Sequence, residues 1–344
     1  MGPDLGVPRA AAAGVSGAQD PPIRATVRYR IDPPPPPGQP ALTDVVGTVL
    51  RNTPQDIVVK SRRGVVHIPR ELVVATRIIA STPTRRGVVG GGIEPLALHR
   101  LVAPCWPATE TTQVGDWLLR ASGGFTSRAN SVVPVGDPGL PWPAALAEVE
   151  QWYAVRSLPS NLTLAGPMGF DPAKDPLGSL LISRGYRRSD STIFLTAPPD
   201  AVRRVIDGTT PTQWTVRVEP ELSAQWLTAY QHYRPVAGHA AEAVLTGSPQ
   251  QFFATARSGE AIVGVARLGV SAGWGGIAAM WVDPAYRRRQ VATALIGELV
   301  TAATQTDVTA LHLQVLVTNP PALALYEKLG FRRHHEYVNL VRAL

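Results

Sequence analysis

The stretch GIAAMWVDPAYRRRQVATALIGELVTAATQ, residues 276–305, constrains the fold more than any other part of this 344-residue chain. Its first seven residues, ending at Val282, are apolar or small and uncharged, which suits a strand buried in a sheet. From residue 290 the apolar positions Val291, Leu295 and Leu299 recur at i, i+4 and i+8, with Val300 and Ala303 beside them. That is the stripe of an amphipathic helix lying on a sheet. Only DPAYRRR joins the two. A strand end, a turn and a helix start therefore come together, and the first helical N–H groups have no intrahelical partner. Arg287, Arg288 and Arg289 sit in that turn. Backbone donors and guanidinium groups in one place suit a phosphate. An ordinary basic helix start has the same local appearance, and this stretch alone does not separate the two. The turn also has no glycine, where phosphate loops commonly have one or two.

Upstream the chain changes character several times. IRATVRYRI (23–31) alternates as a strand, and Pro33–Pro37 cannot join a sheet ladder. TDVVGTVL (43–50), DIVVKS (56–61), GVVHIP (64–69) and ELVVATRII (71–79) are short strand-like runs joined by turn residues. Their spacing predicts a small all-β barrel over residues 23–82. Residues 1–22 read as a disordered tail and 83–106 as a linker. Residues 107–199 hold strands around Gly123-Gly124, a helix over 143–158, the strand NLTLAG and a helix stopped at Gly185. Residues 212–344 are the most regular. They show a strand, a helix between Pro220 and Pro235, a hairpin turning at Ser258-Gly259, the strand and helix above, the strand ALHLQVL, and a helix opened by Pro320-Pro321 and closed by Gly330. SLLISRGYRR (179–188) and ALYEKLGFRR (324–333) repeat one pattern of helix, glycine, aromatic and two arginines. Either a domain is duplicated or a common junction recurs.

Composition excludes some classes. A single cysteine, Cys105, rules out an intrachain disulfide and a cysteine-rich zinc site. The N-terminal segment lacks the apolar run of a signal peptide, and no stretch nears the roughly 18 apolar residues of a membrane span. A cytoplasmic protein with no membrane partner is expected. The net charge of +7 is almost all arginine, since lysine occurs only at Lys60, Lys174 and Lys328. It fits a solvated surface or an anionic ligand. No dense basic tract carries interleaved aromatics, which disfavours nucleic acid as a partner.

Two spaced motifs then point to a family. Val282, Pro284, Arg287, Gln290 and Ala292 follow V-x-P-x-x-R-x-x-G-x-G/A, with glutamine in place of glycine. Downstream lie Leu313-Gln314-Val315, Asn319, Ala322 and Leu325-Tyr326-Glu327-Lys328-Leu329-Gly330-Phe331. In this order and spacing the last 130 or so residues resemble the GCN5-related N-acetyltransferase family. The resemblance implies a mixed α/β (α+β) acyl-CoA N-acyltransferase fold with acetyl-CoA as acetyl donor and an amine as acceptor. It implies pyrophosphate binding by Arg287, Arg288, Arg289, Gln290, Val291 and Ala292, pantetheine pairing near Trp281 and Val282, and a contact from Asn319 to the cofactor arm. Tyr326 would be the general acid that protonates the departing thiolate; the same residue also fits as a core aromatic beside Leu325 and Leu329. If residue 290 needs a positive φ, glutamine costs roughly 1–2 kcal/mol; if it is already helical, little. Residues 107–199 are expected to be a second, degenerate copy, because Asp137-Pro138-Gly139-Leu140-Pro141-Trp142-Pro143 loses three N–H donors to proline. The whole then resembles tandem acetyltransferases of actinobacteria, with a degenerate and an active half (107–199 and 212–344) behind an SH3-like barrel.

The base is less well marked. GIAAMWV carries no carboxylate. His312, on the following strand, is the leading candidate, acting directly or through water; Glu242 and Glu260 are weaker ones, and an amine that arrives neutral needs none. Arg120, Ser122, Thr126, Arg128 and Asn130 cluster around Gly123-Gly124, either as a polar hairpin or as a wall of the acceptor cleft. Cys105 has no His/Asp pattern nearby, and His334-His335 has no complete ligand set, so no metal is expected. The acceptor stays open between small amine, amino acid, aminoglycoside and protein lysine. A non-catalytic acyl-CoA-binding module, with the barrel as its interaction surface, is the alternative.

Overall fold

The computed structural model describes residues 24–33, 36, 41–53, 55–61, 64–78, 88–209, 213–235 and 239–344. The expected tail, three of the five prolines and residues 83–87 of the expected linker lie outside them. The chain divides into two compact units, Met1–Pro83 and Thr84–Leu344.

The first unit is all β. Strands β1 (Arg24–Arg30), β2 (Leu42–Asn52), β3 (Asp56–Ser61), β4 (Gly64–Pro69) and β5 (Val73–Ile78) form one antiparallel sheet in the order β4-β3-β2-β1-β5. Alternation along the strands collects Val27, Val45, Ile57, Val59 and Ile68 into one core. A register shift between Val49 and Arg51 interrupts the long β2, which pairs with β1 and β3 on its two sides.

The second unit begins with α1 (Pro95–Leu101), β6 (Glu110–Val114), β7 (Trp117–Ala121), α2 (Trp142–Ala154), β8 (Ser160–Gly166), α3 (Pro176–Ser183), β9 (Arg187–Arg188), β10 (Thr192–Ala197) and α4 (Pro199–Asp207). It continues with β11 (Thr215–Glu219), α5 (Ala224–Gln231), α6 (His239–Thr246), β12 (Gln250–Ser258), β13 (Ala261–Ser271) and β14 (Trp274–Val282). It closes with α7 (Val291–Thr304), β15 (Ala310–Leu316), α8 (Pro320–Lys328) and β16 (Arg332–Arg342). The main sheet runs β11-β12-β13-β14-β15-β10-β16-β8, with β9 also on β16. One face packs α4, α7 and α8 against Leu311, Leu313 and Val315. The other packs α5 and α6 against Phe253, Val265 and Trp281.

Hydrogen bonds join residues 107–199 and 212–344 through one sheet. β10 lies between β15 and β16, and β16 lies between β10 and β8. The pairing repeats itself. Gly185 and Gly330 are 145 positions apart. Arg187 pairs with Val341, and shifting both by 145 in opposite senses gives Arg332 and Thr196, which also pair. Arg188 with Leu340 and Leu195 with Arg333 are related in the same way, and Thr192 with Tyr337 maps onto itself.

Part of the expected linker is core. Glu94 caps α1 by accepting from Ala97 N–H at 2.9 Å, and Pro95 occupies its first turn. Leu98, Val102 and Cys105 are buried with Phe194, Trp274 and Ala310. A seven-residue helix is too short to declare itself by periodicity.

Candidate functional site

The site is an interruption in the sheet. β14 and β15 are parallel neighbours, but they pair only at Trp274–Ala310, Gly275–Leu311 and Gly276–His312. Beyond that rung β14 continues six residues to Val282 against β13, and β15 continues against β10. The two strands part and leave facing edges. Within the same segment the β13–β14 register shifts between Val265 and Arg267, and Ala279 takes φ 51°. A bulge of this kind bends the strand away from its neighbour.

At the open end of β14 lies the arginine turn. Asp283 accepts from Ala285 N–H at 2.8 Å and starts a single helical turn at Pro284–Tyr286. Trp214 packs edge-on to Tyr286, and its indole donates to the Arg289 carbonyl. Helix α7 starts only at Val291. The N–H groups of Arg288, Arg289, Gln290, Val291, Ala292 and Thr293 have no acceptor among the described residues. Six consecutive donors beside three exposed arginine side chains are an arrangement whose chemistry suits phosphate oxygens.

The missing glycine now has an answer. Gln290 sits at φ 64°, ψ 13°, in the left-handed region, and Arg288 at φ 61°. Residue 290 is therefore not already helical, and glutamine carries the roughly 1–2 kcal/mol penalty. The N–H is retained, since only proline would remove it. The loop at residues 137–143, expected from the sequence to correspond to it, differs. Asp137 and Gly139 N–H are bound to carboxylates of Asp116 and Asp137, and Pro138, Pro141 and Pro143 have no N–H.

The remaining expected residues fall around the gap. Trp281 and Val282 end β14. Asn319 is the N-cap of α8, its side-chain oxygen accepting from Ala322 N–H at 3.2 Å, and its amide N–H₂ has no acceptor among the described residues. Tyr326, on α8, is buried in the core with Phe331 edge-on, and its hydroxyl makes no hydrogen bond among the described residues. Burial pushes its pKa up to about 12, with a smaller push from Tyr233, which follows α5. Tyr233, Trp281, Asp283 and Arg287 also line a cleft of about 760 Å³ with Thr228 and Glu260.

His312 stands on the last shared rung, only 2% exposed, stacked on Phe194 at 5.1 Å. Neither ring nitrogen has a hydrogen-bond partner among the described residues. Burial first, then the charge of Arg128, depresses its pKa to about 3. It is a neutral imidazole that resists taking a proton. Glu242 is exposed on α6, and Glu260 sits at the hairpin turn on the cleft rim. Sequence reasoning did not find Trp214, whose only local signal is an aromatic before a strand, or the role of Tyr233. The chain distance to their partners hid both.

Among solved structures, the second unit is similar to a GCN5-related N-acetyltransferase from Kribbella flavida, with a TM-score of 0.53, 17% identity and cover of 74% of this chain and 95% of that one. The fold is that of the GCN5-related N-acetyltransferases, mixed α/β, here with a small β domain in front. The family model described as "Probable histone acetyltransferase Rv0428c C-terminal" matches residues 96–340, and the chain belongs to that family. The uncharacterized N-acetyltransferase YobR of Bacillus subtilis is 28% identical over 253 residues, covering 69% of this chain and 96% of its own. The probable histone acetyltransferase Rv0428c of Mycobacterium tuberculosis is 35% identical over 135 residues, about two fifths of each chain (39% and 41%).

Proposed function

We propose that this chain is an N-acetyltransferase that moves an acetyl group from acetyl-CoA to an amine by direct attack within one ternary complex. The observation that carries the reading is the row of six unpaired N–H donors from Arg288 to Thr293, set at the mouth of the gap between β14 and β15. These donors and Arg287–Arg289 would hold the pyrophosphate. The free edge of β14 near Trp281 and Val282 would hold the pantetheine, and the Asn319 amide the cofactor arm. When bound, the cofactor supplies the acetyl group as a thioester. Tyr326, kept neutral by burial, gives its proton to the departing sulfur and recovers one that the acceptor nitrogen releases. His312, kept neutral by burial, takes no proton in this reading; the amine is taken up in its neutral form.

The repeated pairing about Thr192 and Tyr337 supports a tandem reading, in which two halves have exchanged their last strands and only 212–344 keeps a cofactor loop. The strand order of residues 24–78, with one helical turn at Arg70–Leu72 before β5, supports an SH3-like barrel. A non-catalytic acyl-CoA-binding role draws on the absence of a carboxylate from β14. Calorimetric titration with acetyl-CoA tests the main reading. One-to-one binding that weakens at least tenfold in Arg287→Ala/Arg289→Ala, with thiol release in the presence of amines, is expected. No binding up to millimolar concentration overturns it, and binding without thiol release favours the non-catalytic role.

A further inference from the structure

The loop between β7 and α2 holds more order than a polar hairpin requires. Thr126 sits at φ 63°, a position that costs a β-branched residue on the order of 1–3 kcal/mol and persists only when its surroundings over-determine it. They do. The Asn130 side chain accepts from Ser122 N–H at 2.7 Å and Gly124 N–H at 3.0 Å, and donates to the carbonyls of Phe125 at 2.9 Å and Thr126 at 2.8 Å. The Trp106 indole donates to Thr126 Oγ1 at 3.0 Å.

This scaffold presents one side chain. Arg128 lies with its guanidinium carbon 5.2 Å from the Trp106 ring centroid, and it makes no hydrogen bond or ion pair with any described residue. With Arg120, His99, His312 and Gln314 it lines an enclosed space of about 10 Å³ that has no carboxylate in its wall. Arg120 is buried, and among the described residues its guanidinium is bonded only to Ser131, through the carbonyl and the hydroxyl. A third guanidinium, Arg267, is fully buried on the same Trp106 ring and bonded only to neutral oxygens of Leu245, Cys105 and Ser248. Two guanidinium groups thus flank one indole, a third lines the same small space, and no carboxylate is bonded to any of them among the described residues. Arg128 alone has its donors unused, and a planar guanidinium matches a carboxylate.

The place matters as much as the charge. His312, in the wall of this space, is on the last rung before β14 and β15 part. The space therefore abuts the closed end of the gap. It has room for about one water-sized group, such as one oxygen of a carboxylate whose other oxygen meets Arg128.

We propose that the acceptor is a free amino acid, its carboxylate received by Arg128 and its amine directed to the thioester; this rests on the acetyl-transfer reading above. The amine nitrogen forms a bond to the acetyl carbon as the carbon–sulfur bond breaks. Sulfur leaves with the electron pair and takes the Tyr326 proton, and one amine proton returns to Tyr326 through solvent. Polycationic acceptors such as aminoglycosides or lysine-rich tails would meet the like charges of Arg128 and Arg120 at this space.

The test uses the full chain, Arg128→Ala and Arg128→Lys. Each is incubated with acetyl-CoA and the twenty proteinogenic amino acids, the same set as α-amides, spermidine, or a lysine-rich peptide. N-acetyl products are read by mass spectrometry, and acetyl-CoA binding by calorimetry in parallel. At least one amino acid is expected to be acetylated tenfold or more faster than its amide, with the ratio falling toward one in Arg128→Ala and keeping part of its value in Arg128→Lys. The proposal is overturned if acetyl-CoA binds but amides, spermidine or peptide are acetylated as well as the acids. It is equally overturned if acetyl-CoA binds and no acid is acetylated, or if Arg128→Ala leaves the ratio unchanged. If acetyl-CoA does not bind at all, the parent reading fails and this one with it.

Discussion

A Cβ added to Gly276 would stand 2.6 Å from Nε2 of His312, on the rung where the two strands of the site are last joined. Only glycine lets the buried imidazole lie over the neighbouring strand. Gly276→Ala must push His312 against Phe194 or move Cys105, whose Cβ would be 2.9 Å away. Overpacking of this kind destabilises by about 1–3 kcal/mol. Thermal unfolding should show a lowered Tm; an unchanged Tm would mean that this rung is looser than described.

Gln290→Gly should stabilise the protein by about 1 kcal/mol, because the left-handed conformation at φ 64° ceases to be strained. Gln290→Pro should do the opposite and weaken acetyl-CoA binding, since it removes a donor and cannot adopt that φ. Denaturant midpoints and calorimetric Kd values for the pair check both. Equal stability of wild type and glycine variant would place residue 290 outside the left-handed region.

Tyr326→Phe should lower kcat by about 10²-fold or more while leaving acetyl-CoA Kd within about twofold. The wild-type phenol, with its pKa raised to about 12, keeps its proton across the neutral range. Its contribution to stability is complete below the unfolded value near 10 and is lost as pH rises from there toward 12. A rate unaffected by the substitution removes Tyr326 from the chemistry.

Acid should destabilise the second unit early. Burial holds both His312 and His335 down to about 3. Depressed histidines contribute stability that is present above about 6.5 and is lost as pH falls from there toward 3. Tm measured from pH 8 to pH 4.5 should decline below about 6.5, and His312→Leu should flatten part of that decline. The same slope in both proteins would show that His312 is not held neutral by its surroundings.

Asn130→Ala removes the one side chain that holds four backbone groups of the Thr126 loop. Leaving buried donors and acceptors unpaired should cost about 2–4 kcal/mol. Urea midpoints measure it, with Ser127→Ala, on the exposed side of the same loop, as a control expected within about 0.5 kcal/mol of wild type.

Much of the site was legible because its signals are local. The apolar run to Val282, the stripe Val291–Leu295–Leu299 and the paired prolines that open α8 each lie within one element, where local sequence reports directly on structure. Helix α1 and the Thr126 loop were not, since a short helix has no period to read and a turn is fixed by partners such as Trp106 and Asn130.

The sequence by itself determined the strand–turn–helix unit, its N–H donors and its three arginines, because backbone geometry and chain order leave no other arrangement for that composition. Tertiary structure alone decided the rest: that residue 290 is left-handed, that His312 is buried and neutral, and that β10 pairs with β15 and β16 while β16 pairs with β8. The physical reason is range. φ at a junction follows from how the following helix docks, a pKa from what covers the group, and strand order from pairings between residues 145 positions apart, as Thr192 with Tyr337. No local window contains any of the three.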